Sequence, residues 1–109
     1  MKRDDFIEKS WSNDTLEALS AFIRIPSKST AFDSNWAQNG YLRQAVDEAA
    51  FWGKKLFPSA RFEVLEKKGY PPALFVDIAS TCGHNGRPAF FYGHFDKQPE
   101  TKGWAAGLG

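Results

Sequence analysis

The sequence has 109 residues, of which 42% are hydrophobic, and its 14 basic and 13 acidic residues give a formal net charge of +1. The length suits one domain and is too short for two, and a near-neutral chain without a long basic run is not expected to bind nucleic acid. The single cysteine, Cys82, excludes an internal disulfide, and no apolar run reaches the ~18 residues that span a bilayer. We therefore expect a cytoplasmic domain without nucleic-acid or membrane partners.

The first predicted helix begins at a capping pattern. In the stretch Asp14-Thr15-Leu16-Glu17, an N-cap oxygen stands three residues before a glutamate that can reach back to the cap. Apolar residues then recur at helical spacing as far as Pro26. Because the residue before a proline is pushed out of the α region, we expect this amphipathic helix to end at Arg24 or Ile25.

A second helix is predicted over residues 40–57. One apolar stripe runs along this segment and charged residues fill the opposite side, while Pro58 closes the pattern. Three small residues lie on the stripe, namely Ala45, Ala49 and Gly53. Their size predicts that the helix lies close against a sheet.

Three strands are predicted after the second helix. Residues 61–66 and 73–79 show the apolar alternation of strands, with Gly and Pro residues between them. Asn85-Gly86 favours a chain reversal, which makes the second and third strands antiparallel neighbours. The third strand, residues 88–94, is apolar on both faces, as a covered central strand is. The expected fold class is α/β, with two helices followed by three strands of a mixed twisted sheet.

His94 and Asp96 stand at the carboxyl end of the third predicted strand. Because a strand alternates its side chains, both can share one face while Phe95 turns away. Ligand sites gather beyond the carboxyl ends of strands in open α/β sheets, and a carboxylate commonly orients a zinc-bound imidazole. His94 is therefore a candidate metal ligand and Asp96 the residue that orients it. The alternative is a structural pair that only hydrogen-bonds at the end of a strand.

The candidate site is incomplete within this sequence, because a catalytic zinc needs about three protein ligands and an open position. Cys82 and His84 precede the third strand and lie at its opposite end, which makes them poor candidates. Ser27 and Ser29 are expected to cap or solvate a loop. The sequence has no serine-hydrolase elbow, no single-zinc protease helix motif and no phosphate-binding loop.

The stretch Gly93-His94-Phe95-Asp96-Lys97-Gln98-Pro99, followed by Trp104, resembles a family signature, Gly-His-x-Asp-x-x-Pro. The family is that of the co-catalytic zinc peptidases and amidohydrolases, which include acetylornithine deacetylase, succinyl-diaminopimelate desuccinylase, carboxypeptidase G and the carnosinase-type dipeptidases. The stretch Phe22-Ile23-Arg24-Ile25-Pro26-Ser27 is similar to the family's lead-in, where a first helix ends. Lys97 departs from the apolar residue that many members have at its position.

The resemblance implies that residues 1–109 are the N-terminal part of a zinc-peptidase catalytic domain. It implies that His94 binds one of two zinc ions and that Asp96 orients it, while the remaining ligands, the general base and a dimerisation domain follow later in the sequence. The full-length protein is then a homodimer that hydrolyses an amide or peptide bond in a small peptide or an N-acyl amino acid. The 109-residue piece is expected to be inactive. Trp104 would border the active-site opening, and a packing role for it is equally compatible with the sequence.

The residues alone leave another class of function open. A non-catalytic α/β interaction module would carry the same His94 and Asp96 as a structural pair, without any metal. Substitution of His94 separates the two hypotheses, because an enzyme would lose its activity and an interaction module would mainly change in stability.

Overall fold

The structure is a computed structural model of the chain, and it describes residues 1–81, 83 and 86–108. Within these residues, three helical segments precede a two-stranded antiparallel sheet, so the fold is a small mixed α/β structure. The elements are α1 (Arg3–Ser10), a π-helical turn (Trp11–Thr15), α2 (Leu16–Arg24), α3 (Trp36–Asn39), α4 (Tyr41–Leu56), β1 (Arg61–Leu65) and β2 (Ala73–Asp77). None of the helices in the described part of the chain combines the length and the apolar character needed to cross a membrane.

The first helical segment is longer than the sequence predicts. It runs without a break from α1 through the π-helical turn into α2, because the residues at both junctions keep right-handed helical backbone angles. Asp14 lies inside this segment, and no side chain caps the start of α2. The predicted helix start at Asp14 is therefore wrong, since a residue caps a helix only where the backbone leaves the helical region. The predicted end is confirmed, because α2 stops at Arg24 and Ile25 is extended.

The second predicted helix is confirmed as α4, which is flanked by Gly40 and Phe57. Gly40 has a φ of +71°, a left-handed conformation that glycine adopts without strain. Gly53 lies so close to β1 that a Cβ built there would be 2.5 Å from Cε1 of Phe62. The prediction that small residues bring this helix close to a sheet is thus confirmed at Gly53. The buried apolar side chains of α4, which form most of the core, are Leu42, Ala45, Val46 and Ala50.

The two strands pair in antiparallel register, with Phe62 opposite Val76 and Val64 opposite Leu74. Phe62, Val64 and Leu74 are half-buried, and α4 packs against both strands. The alternation predicted for residues 61–66 and 73–79 therefore gives one face of the sheet to the helix. The first two strands are confirmed, and each is slightly shorter than predicted.

The third predicted strand is not formed in the structure. Residues 88–94 have no strand hydrogen bonding, and the sheet of the described residues contains only β1 and β2. Phe90, Phe91 and Tyr92 are 89%, 88% and 85% exposed. An apolar central strand is stable only with neighbours on its edges and layers on its faces, and no described element covers this one. The Asn85-Gly86 reversal falls in part on Asn85, which lies outside the described residues.

Candidate metal-binding site around His94

The chain after His94 runs beside the residues that follow α2. Lys97 forms a parallel β-bridge with Lys28. The Lys97 N–H donates to the Ser27 carbonyl at 2.8 Å, and the Ser29 N–H donates to the Lys97 carbonyl at 2.9 Å. These bonds attach the loop of residues 95–97 to the segment that leaves the first helix.

His94 and Asp96 are in direct contact. Nδ1 of His94 lies 2.9 Å from Oδ1 of Asp96 and 2.9 Å from its backbone carbonyl oxygen. A carbonyl oxygen can only accept, so the proton of the neutral imidazole is on Nδ1, and Nε2 has a free lone pair. The His94 side chain is 68% exposed and that of Asp96 39% exposed. The structure therefore brings the two predicted site residues together and leaves one imidazole nitrogen accessible for a ligand bond.

Phe95 turns away from this pair and packs against the first helix. Its ring meets the ring of Phe22 edge-on, with centroids 5.9 Å apart and an angle of 68° between the planes. Edge-to-face aromatic pairs of this kind are favourable beyond the area that they bury. Phe95 thus attaches the loop to the first helix, while the side chains of His94 and Asp96 remain accessible to solvent.

Ser27 is wholly buried, with 0% exposure, so of its two expected roles, capping or solvating a loop, the solvating role is wrong. Its hydroxyl donates to the backbone carbonyl of Phe95 at 3.2 Å. A buried hydroxyl needs such a partner, because an unpaired polar group costs about 1–3 kcal/mol. Ser29 is half-buried and contributes its backbone N–H to the bridge with Lys97.

Lys97 makes contacts that the sequence analysis did not predict. Its Nζ donates to the carbonyl of Phe22 at 2.8 Å, to the carbonyl of Ile25 and to the hydroxyl of Ser27 at 3.1 Å. The same nitrogen lies 4.3 Å from the centroid of the Phe22 ring, within the range of a cation–π interaction.

The surroundings of this ammonium explain its position. The carbonyls at a helix C-terminus carry partial negative charge and have few partners within the helix, so a cation at the end of α2 is favourable. Burial lowers the pKa of Lys97, while the three oxygen acceptors around Nζ favour the protonated form. The one signal in the sequence was that Lys97 is charged, whereas many members of the zinc-peptidase family have an apolar residue at its position.

The described residues supply one ligand of a metal site and not a complete set. Among residues 1–81, 83 and 86–108, no three His, Cys, Asp or Glu side chains are grouped so that they could hold a metal ion. Cys82 and His84, which the sequence makes poor candidates, lie outside the described residues. Trp104 is 59% exposed, and its place at an active-site opening stays a prediction.

Comparison with known proteins assigns no family to the chain. No family model matches it, and no curated protein matches it either. The resemblance to the zinc peptidases therefore depends on the two stretches at residues 22–27 and 93–99. In the structure these two stretches are in contact through Ser27, Phe22 and Lys97.

Proposed function

We propose that this chain is the N-terminal part of the catalytic domain of a zinc-dependent hydrolase that cleaves amide or peptide bonds, as a dipeptidase or a carboxypeptidase does. The observation that carries the proposal is the contact between His94 and Asp96. It places the proton on Nδ1 and leaves Nε2 unprotonated on a side chain that is 68% exposed, which is the arrangement of a zinc-binding histidine with an orienting carboxylate. The signature at residues 93–99 supplies the class of reaction.

The two residues have separate roles in this proposal. His94 would bind zinc through Nε2, and Asp96 would fix the ring orientation and raise the basicity of the imidazole by accepting a hydrogen bond from its Nδ1–H. Bound zinc supplies a water of lowered pKa and polarises the scissile carbonyl. The other ligands, those of a second zinc ion and the general base come from residues beyond position 109.

The proposal extends to the fold of the complete catalytic domain. Residues 88–94 form the third strand of a mixed sheet there, flanked by elements other than those that the structure describes. The high exposure of Phe90, Phe91 and Tyr92 supports this, because a contiguous apolar surface of that kind is usually covered in the functional protein. The substrate is a small peptide or an N-acyl amino acid, and the full-length protein is a cytoplasmic homodimer.

The test of the proposed function is His94→Ala in the full-length protein. We expect near-total loss of hydrolysis of dipeptides and N-acyl amino acids, because a zinc ligand is removed, while far-UV circular dichroism and the melting temperature stay close to those of the wild type. His84→Ala is the matched control and should retain activity. Unchanged hydrolysis in His94→Ala, together with a lower melting temperature, would support the interaction module with a structural His-Asp pair instead.

A further inference from the structure

The loop of residues 95–97 is fixed at the two residues that flank Asp96. The Phe95 ring packs on Phe22, and its carbonyl accepts from Ser27. The backbone of Lys97 exchanges hydrogen bonds with residues 27 and 29, and its ammonium reaches the end of α2. Asp96 lies between these two fixed residues. The position of both Asp96 oxygens that accept from His94 therefore depends on the residues on either side of Asp96.

The contacts of the ammonium form a group that we name the lysine anchor, namely the bonds from Lys97 Nζ to Phe22 O, Ile25 O and Ser27 Oγ. An ammonium has three donors, and the anchor uses all three. The Phe22 and Ile25 carbonyls also accept backbone N–H groups of the turn that ends the helix. The lysine anchor thus joins the helix end, the following turn and the loop of residues 95–97 at one nitrogen atom.

Ser27 extends the lysine anchor toward the candidate ligand. Its hydroxyl accepts from Lys97 Nζ at 3.1 Å and donates to the Phe95 carbonyl at 3.2 Å. A hydroxyl has only one proton, so an ammonium on its acceptor side directs that proton to the Phe95 carbonyl. Hydrogen bonds connected in series in this way also strengthen one another. A chain of two bonds therefore leads from Lys97 to the peptide unit between Phe95 and Asp96.

We propose that Lys97 is a positioning residue for the candidate metal ligand. Through the lysine anchor it holds the loop of residues 95–97 on the end of α2, and so it holds Asp96 in contact with the His94 imidazole. This inference rests on the proposed function for its metal part, while the effect on the His94–Asp96 pair is a property of the protein without metal.

The test uses Lys97→Met in the full-length protein, because methionine keeps the apolar length of the side chain and removes the ammonium. The first readout is the ¹⁵N NMR signal of the His94 ring in the metal-free protein, assigned by its absence in His94→Ala. We expect the wild type to show the Nδ1-protonated tautomer and Lys97→Met to lose that preference. The second readout is zinc affinity by competition with a chromophoric chelator. It should weaken about tenfold or more, as it does when partners of a ligating histidine are lost.

The matched control is Lys55→Met. The Lys55 ammonium also lies over a phenyl ring, 4.5 Å from the centroid of Phe51, but it is on the exposed side of α4 and far along the chain from His94. Both readouts should stay at wild-type values in this variant. A Lys97→Met protein that melts at a lower temperature but keeps the wild-type tautomer and zinc affinity would overturn the proposal, because Lys97 would then be merely structural.

Two further variants decide the matter if Lys97→Met does not fold. Lys97→Arg keeps the charge and the donors and should preserve the Nδ1-protonated tautomer. Ser27→Ala removes the link between the lysine anchor and the Phe95 carbonyl and should weaken that preference. Equal His94 signals in these two variants would contradict the proposal. If His94→Ala itself leaves zinc affinity and hydrolysis unchanged, the proposed function fails, whereas the tautomer readout still tests the positioning role of Lys97.

Discussion

Residues 88–93 and residues 95–97 lie on either side of His94 and differ in how they contact the rest of the structure. The first segment is strongly apolar, yet its three aromatic residues are more than four-fifths exposed, at 89%, 88% and 85%. The second contains an aspartate and a lysine and is attached to the end of the first helix and to the residues after it by hydrogen bonds from backbone and side chains. Apolar character places a segment only when a partner surface exists, whereas a few directional bonds place a polar loop on a nearby helix end.

This difference divides the candidate site into two parts. The part that depends on the end of α2 is formed, because Asp96 meets His94 and the lysine anchor holds the loop. The part that depends on a covered third strand is not formed in the structure. His94 lies at the junction, so its orientation is determined by the loop that follows it and not by the segment that precedes it.

Substitution of Phe91 should have the largest effect, and it tests whether residues 88–93 become covered in the proposed full-length protein. Phe91→Ala should lower the free energy of unfolding there by about 3–5 kcal/mol, the cost of removing a buried phenyl ring. In the 109-residue chain, where Phe91 is 88% exposed, the change should stay within about 0.5 kcal/mol. Chemical denaturation of both proteins measures the two values. A small effect in both would contradict the proposed third strand.

Val46→Ala is the control for that comparison. Val46 is 2% exposed on the buried face of α4, so the loss of its two methyl groups should cost about 2 kcal/mol in both proteins. Equal costs for Val46→Ala would show that the two unfolding transitions report on the same core. A difference at Phe91 alone would then be due to the cover that the longer chain provides.

A smaller change in stability is expected for Gly53→Ala, at the face of the sheet that α4 covers. At Gly53 an added methyl group meets the Phe62 ring at 2.5 Å, and overpacking of this kind costs about 1–3 kcal/mol. The gain in helix propensity from Gly to Ala offsets about 1 kcal/mol, so Gly53→Ala should destabilise the protein by about 1 kcal/mol. Thermal unfolding measures the change. Phe62→Leu should relieve part of it in the double variant, and strictly additive effects would mean that the two residues do not interact.

Local patterns predicted the elements whose stability is decided by near neighbours in the sequence. The apolar stripe of α4, its end before Pro58 and the alternation of β1 and β2 are properties of single segments. The end of α2 follows from Pro26 in the same way. The start of the first helix did not follow, because the capping pattern at Asp14 is formed only if the residues before it leave the helix, and they do not.

The site was predictable only as a pair of residues. A spacing of two placed His94 and Asp96 on one side of the chain, and the structure has them in contact. The lysine anchor could not be predicted in this way, since its acceptors lie at residues 22–27 and their contact with Lys97 is set by tertiary folding. Whether residues 88–94 form a strand also depends on neighbouring elements, and these are not among the described residues.

The smallest expected effect is at Glu100, three residues after the loop of residues 95–97, where Nζ of Lys28 is 3.0 Å from Oε2 of Glu100. The pKa of this carboxyl group is lowered mainly by a hydrogen bond from the backbone N–H of Glu100 and, to a smaller extent, by the hydrogen bond from Lys28. A carboxyl whose pKa is lower in the folded protein stabilises the fold above its ordinary pKa, and this contribution is lost as the pH falls through the folded-state pKa. Because the pair is open to solvent, the contribution is small and screened by salt.

Glu100→Gln should therefore lower the melting temperature slightly at pH 7 and low ionic strength, and the difference from the wild type should vanish at a pH below the folded-state pKa of Glu100. Melting curves of the two proteins across this pH range, with and without added salt, measure it. The same comparison at high salt serves as the control, because screening should remove most of the difference at pH 7. A difference that persists at low pH would mean that the Glu100 side chain stabilises the fold by packing rather than by its charge.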